Sequence, residues 1–432
     1  MPKIQKIWAR EILDSRGTPT VEAACQLDSG VVAVASVPSG ASTGSHEALE
    51  LRDKDENRYL GKGVLKAVNN INQIIGPALI TAGIDPTNQA AIDDQLIKLD
   101  GTENKSRIGG NSILAVSMVV SKVAATAQGM PLYRWINQLA TGIGIKSPMR
   151  APTPIFNMIN GGLHGAGNLD FQEFFVIPAS TKPFSEGLRI GVEIYMMIGQ
   201  NLARRGAIHS VGDEGGYAPN LFTNADALEI LVEAIRQTNY QLGREVFLGL
   251  DVAATTFFEN NVYTIRDKSA PLSEDQIIEY YKELNSTYHL AILEDALHED
   301  AWDGWKKLKI ALGNQITIVG DDLLATSPKR VQKAVQSGAC NAILVKPNQI
   351  GTVTETLNVV KMGFDAGWKI VVSHRSGETN DFFIAEFAVG VGADYVKFGA
   401  PARGERVVKY NRLSSIEVEL TLLAHGSQTA GK

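Results

Sequence analysis

Short apolar runs that end in a charged or polar residue recur along the second half of the chain. Five such endings occur, at Glu294, Asp321, Lys346, His374 with Arg375, and Lys397. Their successive spacings are 27, 25, 28 and 23 residues, enough for one strand, one helix and two loops each time. The pattern predicts a (β/α) barrel, and the C-terminal ends of its strands would bring these charged residues to one mouth.

The chain before residue 142 has a different pattern. Three short alternating stretches within residues 4–37 predict an antiparallel meander of three strands. Helical periodicity follows, and one face of the first predicted helix carries Val64, Val68, Ile71, Ile75 and Leu79. Strands followed by helices predict an α+β fold for this part of the chain.

These patterns divide the chain into two domains and a tail. We predict a smaller α+β domain at residues 1–141, a barrel at 142–420 and a tail without regular structure at 421–432. The glycine-containing stretch GIGIKSP would be the linker, because the alternation of strands and helices starts after it. The length of 432 residues agrees with this division, since single domains rarely exceed about 250 to 300 residues.

The composition of the chain indicates which partners it binds and in which cellular compartment it resides. The 41 Lys and Arg and the 47 Asp and Glu are mixed along the chain, and the net charge of −6 argues against nucleic acid as the main partner. No window approaches the roughly 18 apolar residues of a membrane span, and the start, MPKIQKIWAR, lacks the apolar core of a signal peptide. We therefore expect a cytoplasmic protein, with Cys25 and Cys340 as small buried hydrophobes.

Three acidic residues at corresponding positions point to a metal. Asp251, Glu294 and Asp321 each follow an apolar run that should be a buried strand, where an unpaired carboxylate is costly. Oxygen ligands without Cys or His suit a hard cation such as Mg²⁺. The alternative is that each acid caps the next helix or pairs with Lys346 or Lys397.

The basic residues of the repeat suggest proton transfer and anion binding. Lys346 and Lys397 would place two ammonium groups near the mouth, and a lysine beside Mg²⁺ and another cation should have a lowered pKa and could act as a base. Arg375 and Ser376 could bind a phosphate or carboxylate through paired donors. The alternatives are salt bridges for the lysines and a structural role for the arginine.

Two glutamates and two glycine-rich segments complete the candidate set. Glu214, in VGDEGG, and Glu173, in DFQEFF, would share a proton if they face each other, which makes a general acid; otherwise both are solvated loop or edge residues. His164, between glycines, could bind a ligand or be an ordinary loop histidine. SGASTG, at 39–44, could contact an anion or metal or be an ordinary loop.

Ten stretches, in order along the chain, resemble the enolase (phosphopyruvate hydratase) family. They are SRGTPTVE, VPSGASTGSHEALELRD, INGGLH, QEF, VGDEGGYAPN, GLDVA, VGDDL, VKPNQIGT, SHRSGET and GAPARGERVVKYN. The resemblance implies reversible dehydration of 2-phosphoglycerate to phosphoenolpyruvate in glycolysis and gluconeogenesis. It also implies a (β/α)8-type barrel preceded by a smaller α+β domain.

The resemblance assigns roles to individual residues. Metal ligands would be Asp251, Glu294 and Asp321 for a tight Mg²⁺, and Ser42 for a second Mg²⁺ bound with substrate. Lys346 would be the base at C2 and Glu214 the acid at the C3 hydroxyl, with Glu173 and His164 beside it. Substrate contacts would be Gln172, His374, Arg375, Ser376 and Lys397.

The resemblance also implies a context and leaves alternatives open. It implies a cytoplasmic enzyme, with surface exposure possible, that acts on a small phosphorylated hydroxy acid as a homodimer or an octamer of dimers. The chain departs from the common family pattern at Gly165, Thr256, Ala296, Asn380 and Phe398. The alternatives are another superfamily enzyme that takes a proton next to a different carboxylate, and a non-catalytic scaffold protein.

Overall fold

An antiparallel meander begins the chain. The computed structural model describes residues 2–40, 46–162, 165 and 168–429. Its first strands, β1 (Ile4–Leu13), β2 (Pro19–Leu27) and β3 (Val32–Ser36), pair in that order. Val21, Ala23 and Cys25 alternate along β2 and are fully buried, as expected for one face of a sheet. The predicted three-stranded meander is confirmed.

Helices follow the meander and cover it. They are α1 (Leu65–Asn70), α2 (Gly76–Ala82), α3 (Gln89–Asp100), α4 (Gly110–Ala127) and α5 (Leu132–Gly142), with a π-helical turn at Ile71–Ile75 joining the first two. The apolar stripe predicted from Val64 to Leu79 is buried. Helix α4 packs on β2 and β3. Its length and composition would allow a membrane span, but 83% of it is buried inside the protein.

A closed barrel forms the rest of the structure. Its elements, with the helices between the strands, are β4 (Thr153–Asn160), β5 (Glu173–Pro178), α6 (Phe184–Arg204), α7 (Asn224–Arg236), β6 (Val246–Asp251), β7 (Phe258–Glu259), β8 (Val262–Tyr263), α8 (Glu274–Tyr288), β9 (Leu290–Glu294), α9 (Trp302–Leu312), β10 (Thr317–Gly320), α10 (Pro328–Ser337), β11 (Ala342–Val345), α11 (Pro347–Ile350), α12 (Val353–Asp365), β12 (Lys369–Ser373), α13 (Phe383–Val391), β13 (Tyr395–Lys397) and α14 (Gly404–Thr429). Among the described residues, eight strands close the barrel in the order β4-β5-β6-β9-β10-β11-β12-β13. The predicted barrel is confirmed.

One barrel strand runs against the others. Strand β5 pairs antiparallel with both β4 and β6, whereas the remaining neighbours are parallel. No helix separates β4 from β5 in the described residues, while α6 and α7 both lie between β5 and β6. The strand-helix repeat seen in residues 294–397 therefore does not extend to β4 and β5. The reversal places Glu173, the first residue of β5, opposite Asp251 at the mouth.

The barrel interior and its surroundings explain the apolar runs. Inward-facing side chains form a core of their own, made of Ile155, Phe175, Ile177, Ile292, Val319, Ala342, Leu344 and Val371. Outward-facing side chains such as Leu293 and Val345 join the larger core under the helices. Because parallel strands are buried on both faces, their sequences are continuously apolar until the mouth is reached.

Three further features are a hairpin before Glu294, the C-terminal helix and the two cysteines. The stretch between Asp251 and Glu294 is longer than one strand-helix unit, and it contains a hairpin made of β7 and β8. Helix α14 continues through Thr429, so the tail predicted from residue 421 to lack regular structure is helical over most of its length. Both cysteines are buried and unpaired, and burial raises the pKa of each thiol to about 12.

A buried carboxylate joins the N-terminal helices to the barrel. Asp93, on α3, accepts hydrogen bonds from Gln89 Nε2 (3.0 Å) and Ser117 Oγ (2.6 Å), and its other oxygen accepts from the backbone N–H of Thr354 (2.8 Å), at the start of α12. Burial raises the pKa of Asp93 to about 6, because its hydrogen bonds only partly offset the lost hydration.

Asp93 should therefore make stability depend on pH. The folded protein takes up a proton at Asp93 near pH 6, whereas an unfolded aspartate does so near about 4. Lowering the pH from about 7.5 to 4.5 should thus increase the unfolding free energy of the wild type relative to Asp93→Asn by about 2 kcal/mol. Urea unfolding followed by circular dichroism measures it. The exposed neighbour variant Asp94→Asn is the control, and a pH-independent difference for Asp93→Asn would contradict the account.

Candidate active site

Three predicted acids lie at neighbouring strand ends of the barrel mouth. Asp251 is the last residue of β6 and pairs in register with Glu294, the last residue of β9. Glu294 pairs with Val319 of β10, two residues before Asp321. All three acids are at most 6% exposed. Burial and the charge of Asp251 together raise the pKa of Glu294 well above its usual range.

Lys397 supplies a cation to this acidic group. Its Nζ lies 2.7 Å from Glu294 Oε1, 3.3 Å from Asp251 Oδ2 and 3.2 Å from Glu173 Oε2. Strands β13 and β9 are four positions apart in the barrel order, so Lys397 reaches across the barrel to Glu294. Burial disfavours the charged lysine, but the surrounding carboxylates outweigh it and raise the pKa of Lys397. The lysine is therefore charged.

Lys346 forms a second ion pair at the mouth. Its Nζ lies 2.5 Å from Asp321 Oδ2, and Gln349 Nε2 donates to the other oxygen of Asp321 at 3.1 Å. A lowered pKa was expected for Lys346. In the protein alone, burial acts in that direction, but Asp321 outweighs it and the pKa of Lys346 is raised. The expectation assumed a metal ion that neutralises Asp321.

Glu173 and Glu214, for which the sequence left open a shared-proton pair or two solvated residues, are both buried and lie close together. One carboxylate oxygen each of Glu173 and Glu214 and a ring nitrogen of His374 all lie within 4.8 Å of one another. Glu214 Oε2 accepts from Asn157 Nδ2 at 3.0 Å and lies 3.5 Å from His374 Nε2. Burial lowers the pKa of His374 well below its usual value, although Glu214 acts in the opposite direction.

Anion-binding candidates occupy the loop after β12. Arg375 is buried, and its Nη1 lies 2.7 Å from Glu47 Oε2 and 3.2 Å from Asn348 Oδ1. Ser376 is also buried beside it. On the other side of the mouth, Gln172 donates to Asp251 through its side chain at 3.3 Å and its backbone N–H at 3.0 Å.

Both parts of the chain match one protein family. The description "Enolase, N-terminal domain" matches residues 4–136, and "Enolase, C-terminal TIM barrel domain" matches residues 148–431. The chain belongs to the enolase family. This membership supports an enolase-like function in general and agrees with the barrel and the small N-terminal domain of strands and helices.

Two of the predicted enolase site residues, Ser42 and His164, lie outside the described residues. The residues on both sides of the segment that contains Ser42 do reach the mouth. Ser39 and Gly377 exchange backbone hydrogen bonds of 2.7 and 3.0 Å, and Glu47 pairs with Arg375, so both sides of residues 41–45 contact the loop after β12.

The five departures from the common enolase pattern leave the described acids and lysines in place. A Cβ on Gly165 would lie 2.5 Å from the carbonyl oxygen of Asn160, so glycine fits the local backbone there. The side chain of Phe398 packs on Tyr410 of α14, with ring centroids 6.0 Å apart. The remaining three departures are Ala296, which is buried, Thr256, whose Oγ1 donates to Ala253 O, and Asn380, which is exposed.

Sequence reasoning missed several residues that organise the site. Glu47 and Gln349 stand in stretches that resemble the family, but neither ends an apolar run. Asn157 lies inside β4, where no charge pattern marks it. Asp295 accepts the backbone N–H groups of Asp321 (2.9 Å) and Asp322 (2.7 Å), one with each carboxylate oxygen, and so holds the loop after β10.

The carboxylates at the mouth fit a hard divalent cation. Asp251, Glu294 and Asp321 offer oxygen ligands from adjacent strand ends. Burial raises the pKa of Glu294, and the negative charges of Asp251 and Asp321 act in the same direction. A second group, Asp295, Asp321 and Asp322, has oxygens within 4.8 Å of one another. Both oxygens of Asp295 accept backbone N–H groups, whereas Lys346 and Lys397, which bind the first group, are side chains that can change rotamer. The first group is therefore the better candidate.

A third group also has ligand atoms within 4.8 Å, namely His46, Glu299 and Asp300. Arg330 Nη1 lies 2.7 Å from His46 Nε2 and 3.1 Å from Asp300 Oδ1. His46 and Asp300 are exposed, so water solvates them and they do not need a cation as the buried strand-end acids do.

Removing the charge of Lys397 should destabilise the metal-free protein. Lys397→Met leaves buried carboxylates without their shared cation, so we expect the unfolding free energy to fall by about 3 to 5 kcal/mol at about pH 8. The loss should shrink in acid, where the carboxylates take up protons. Urea unfolding in the presence of a chelator measures both.

The control is Lys369→Met, because Lys369 forms an exposed ion pair of 2.9 Å with Asp394. Removing such a surface pair should cost at most about 1 kcal/mol. Equal losses in the two variants would show that Lys397 does not hold the acidic group together.

Proposed function

We propose that this chain is a Mg²⁺-dependent enolase, a hydro-lyase that interconverts 2-phosphoglycerate with phosphoenolpyruvate and water. The observation that carries the proposal is the placement of Lys346 directly after β11 and of Glu173 on β5, two strands that are four positions apart in the barrel order. A base on one side of the mouth and an acidic pair on the other suit a reaction that removes a proton and a hydroxyl from adjacent carbons.

Different residues carry out proton removal at C2 and loss of the hydroxyl at C3. Lys346 Nζ takes the proton from C2 in its neutral form, and Asp321, 2.5 Å away, stabilises the ammonium that results. Glu214, hydrogen-bonded to Asn157 and next to Glu173, gives a proton to the C3 hydroxyl, which leaves as water. The C2 electron pair forms the new double bond, so atoms and charge balance.

The charge that develops on the substrate needs stabilisation. Proton removal beside a carboxylate creates a dianionic enediolate, and Lys397 is positioned to stabilise it in a buried setting. When bound to Asp251, Glu294 and Asp321, Mg²⁺ would supply further positive charge, and Ser42 is our candidate ligand for a second ion. A lysine base that works beside Mg²⁺ is a general property of the enolase superfamily, so this pairing is not a new finding for this chain.

The loop after β12 would bind the substrate through its phosphate group. Arg375 and Ser376 are proposed to bind the phosphate, since a guanidinium matches phosphate oxygens with paired donors. Gln172, His374 and His164 are proposed as further contacts. We also propose a cytoplasmic location and a homodimer or an octamer of dimers; light scattering would test the assembly.

The proposal predicts an optical signal. Purified protein with Mg²⁺ and 2-phosphoglycerate should show a rise in ultraviolet absorbance from the enol product, lost with a chelator and restored by Mg²⁺. Lys346→Ala should lower the rate by about 10²- to 10⁴-fold because the base is gone. Lys361→Ala, a partly exposed position on α12 paired with Asp365, should leave the rate unchanged.

Three outcomes would contradict the proposal. A folded, Mg²⁺-loaded wild type without any absorbance rise would favour a non-catalytic scaffold. Full activity in Lys346→Ala would reject the base assignment. Faster exchange of the C2 proton with deuterium in unphosphorylated glycerate than in 2-phosphoglycerate would favour another enzyme of the superfamily.

A further inference from the structure

Arg406, near the start of α14, contacts both loops that carry the candidate acid and the candidate phosphate site. It is fully buried. Its Nη1 donates to Arg375 O at 2.7 Å and lies 2.6 Å from His374 Nδ1. Its Nη2 donates to Ser376 O at 2.6 Å and to Asp213 O at 3.1 Å. The reaction described above does not use Arg406.

The contact with His374 fixes where the imidazole proton resides. An arginine guanidinium carries only donors, so His374 Nδ1 must accept the hydrogen bond with its lone pair. The proton of the neutral ring then lies on Nε2, and Nε2 lies 3.5 Å from Glu214 Oε2. The opposite tautomer would place an N–H group against the N–H groups of Arg406.

We propose that Arg406 is a positioning residue that holds His374 in the Nε2–H tautomer and so directs one N–H donor toward Glu214. The assignment of the tautomer stands without the proposed function. Its consequence for catalysis rests on the proposed function, because there Glu214 must reach the substrate as the acid.

The charges around His374 agree with a neutral ring. Glu214 favours the protonated imidazole, while burial and the cations Arg406, Lys397 and Lys346 oppose it, with burial the largest effect. Because the imidazole is neutral, the property that Arg406 controls is which of the two ring nitrogens carries the proton.

The assignment also decides what the cluster of Glu173, Glu214 and His374 can bind. Its ligand atoms are close enough for a metal. A metal ligand must offer a lone pair, and Nε2 carries the proton in the proposed tautomer. The cluster is therefore a hydrogen-bonded acid site, and a metal should bind elsewhere.

Arg403 provides a matched control on the same segment. It donates to Gly212 O at 3.1 Å and to Ser15 O at 3.0 Å, so it supports the same turn before Glu214. Its described hydrogen bonds do not include the His374 ring. Replacing Arg403 tests support of the turn without changing the contact at Nδ1.

Nitrogen NMR of ¹⁵N-histidine-labelled full-length protein tests the proposal, with the His374 signals assigned by their loss in His374→Gln. The wild type should show Nε2–H and a bare Nδ1, unchanged between about pH 8 and 6. Arg406→Met should show the Nδ1–H tautomer or a titrating ring. Arg406→Lys, which retains a donor, should restore at least part of the Nε2–H signal, and Arg403→Met should not alter the tautomer.

A wild type in the Nδ1–H tautomer would overturn the proposal even if every variant failed to fold. An unchanged His374 spectrum in folded Arg406→Met would overturn it as well. In the absorbance assay, Arg406→Met should lower kcat by about 100-fold with a smaller change in KM, as expected for a misplaced catalytic group. An inactive wild type with the Nε2–H tautomer would reject the proposed function and leave the tautomer assignment standing.

Discussion

Burial of several carboxylates at the mouth of an apolar barrel is the constraint on which the rest of this structure depends. A carboxylate taken out of water needs a positive partner or a proton. Lys397 meets this need for Glu294, Asp251 and Glu173 together, at 2.7 to 3.3 Å. The reversal of β5 is part of the same arrangement, because it brings Glu173 to the mouth instead of the base of the barrel.

Charge compensation at the mouth also ties the two parts of the chain together. Lys346 pairs with Asp321 within the barrel, but Arg375 pairs with Glu47 from the N-terminal part. Gln349 lies within hydrogen-bond distance of both Asp321 and Glu47. The mouth is therefore built from both regions, and the N-terminal part contributes charge as well as cover.

The strand-end residues could be predicted because a parallel barrel sends every C-terminal strand end to the same place, so spacing alone brings Asp321, Lys346 and Lys397 together. Other features depend on contacts between distant segments, which spacing does not encode. Neither the pairing of Glu47 with Arg375 nor the contact of Arg406 with His374 leaves a periodic signal. The raised pKa of Lys346 likewise depends on a 2.5 Å distance that no motif specifies.

The central claim is that Asp251, Glu294 and Asp321 form a metal site beside the Lys346 base. The most direct measurement is anomalous diffraction from crystals of the protein soaked in Mn²⁺, which uses the same oxygen ligands as Mg²⁺. We predict a manganese peak bound by all three carboxylates. A peak on Asp295 and Asp322, a peak between Glu214 and His374, or no peak at the mouth would contradict the claim.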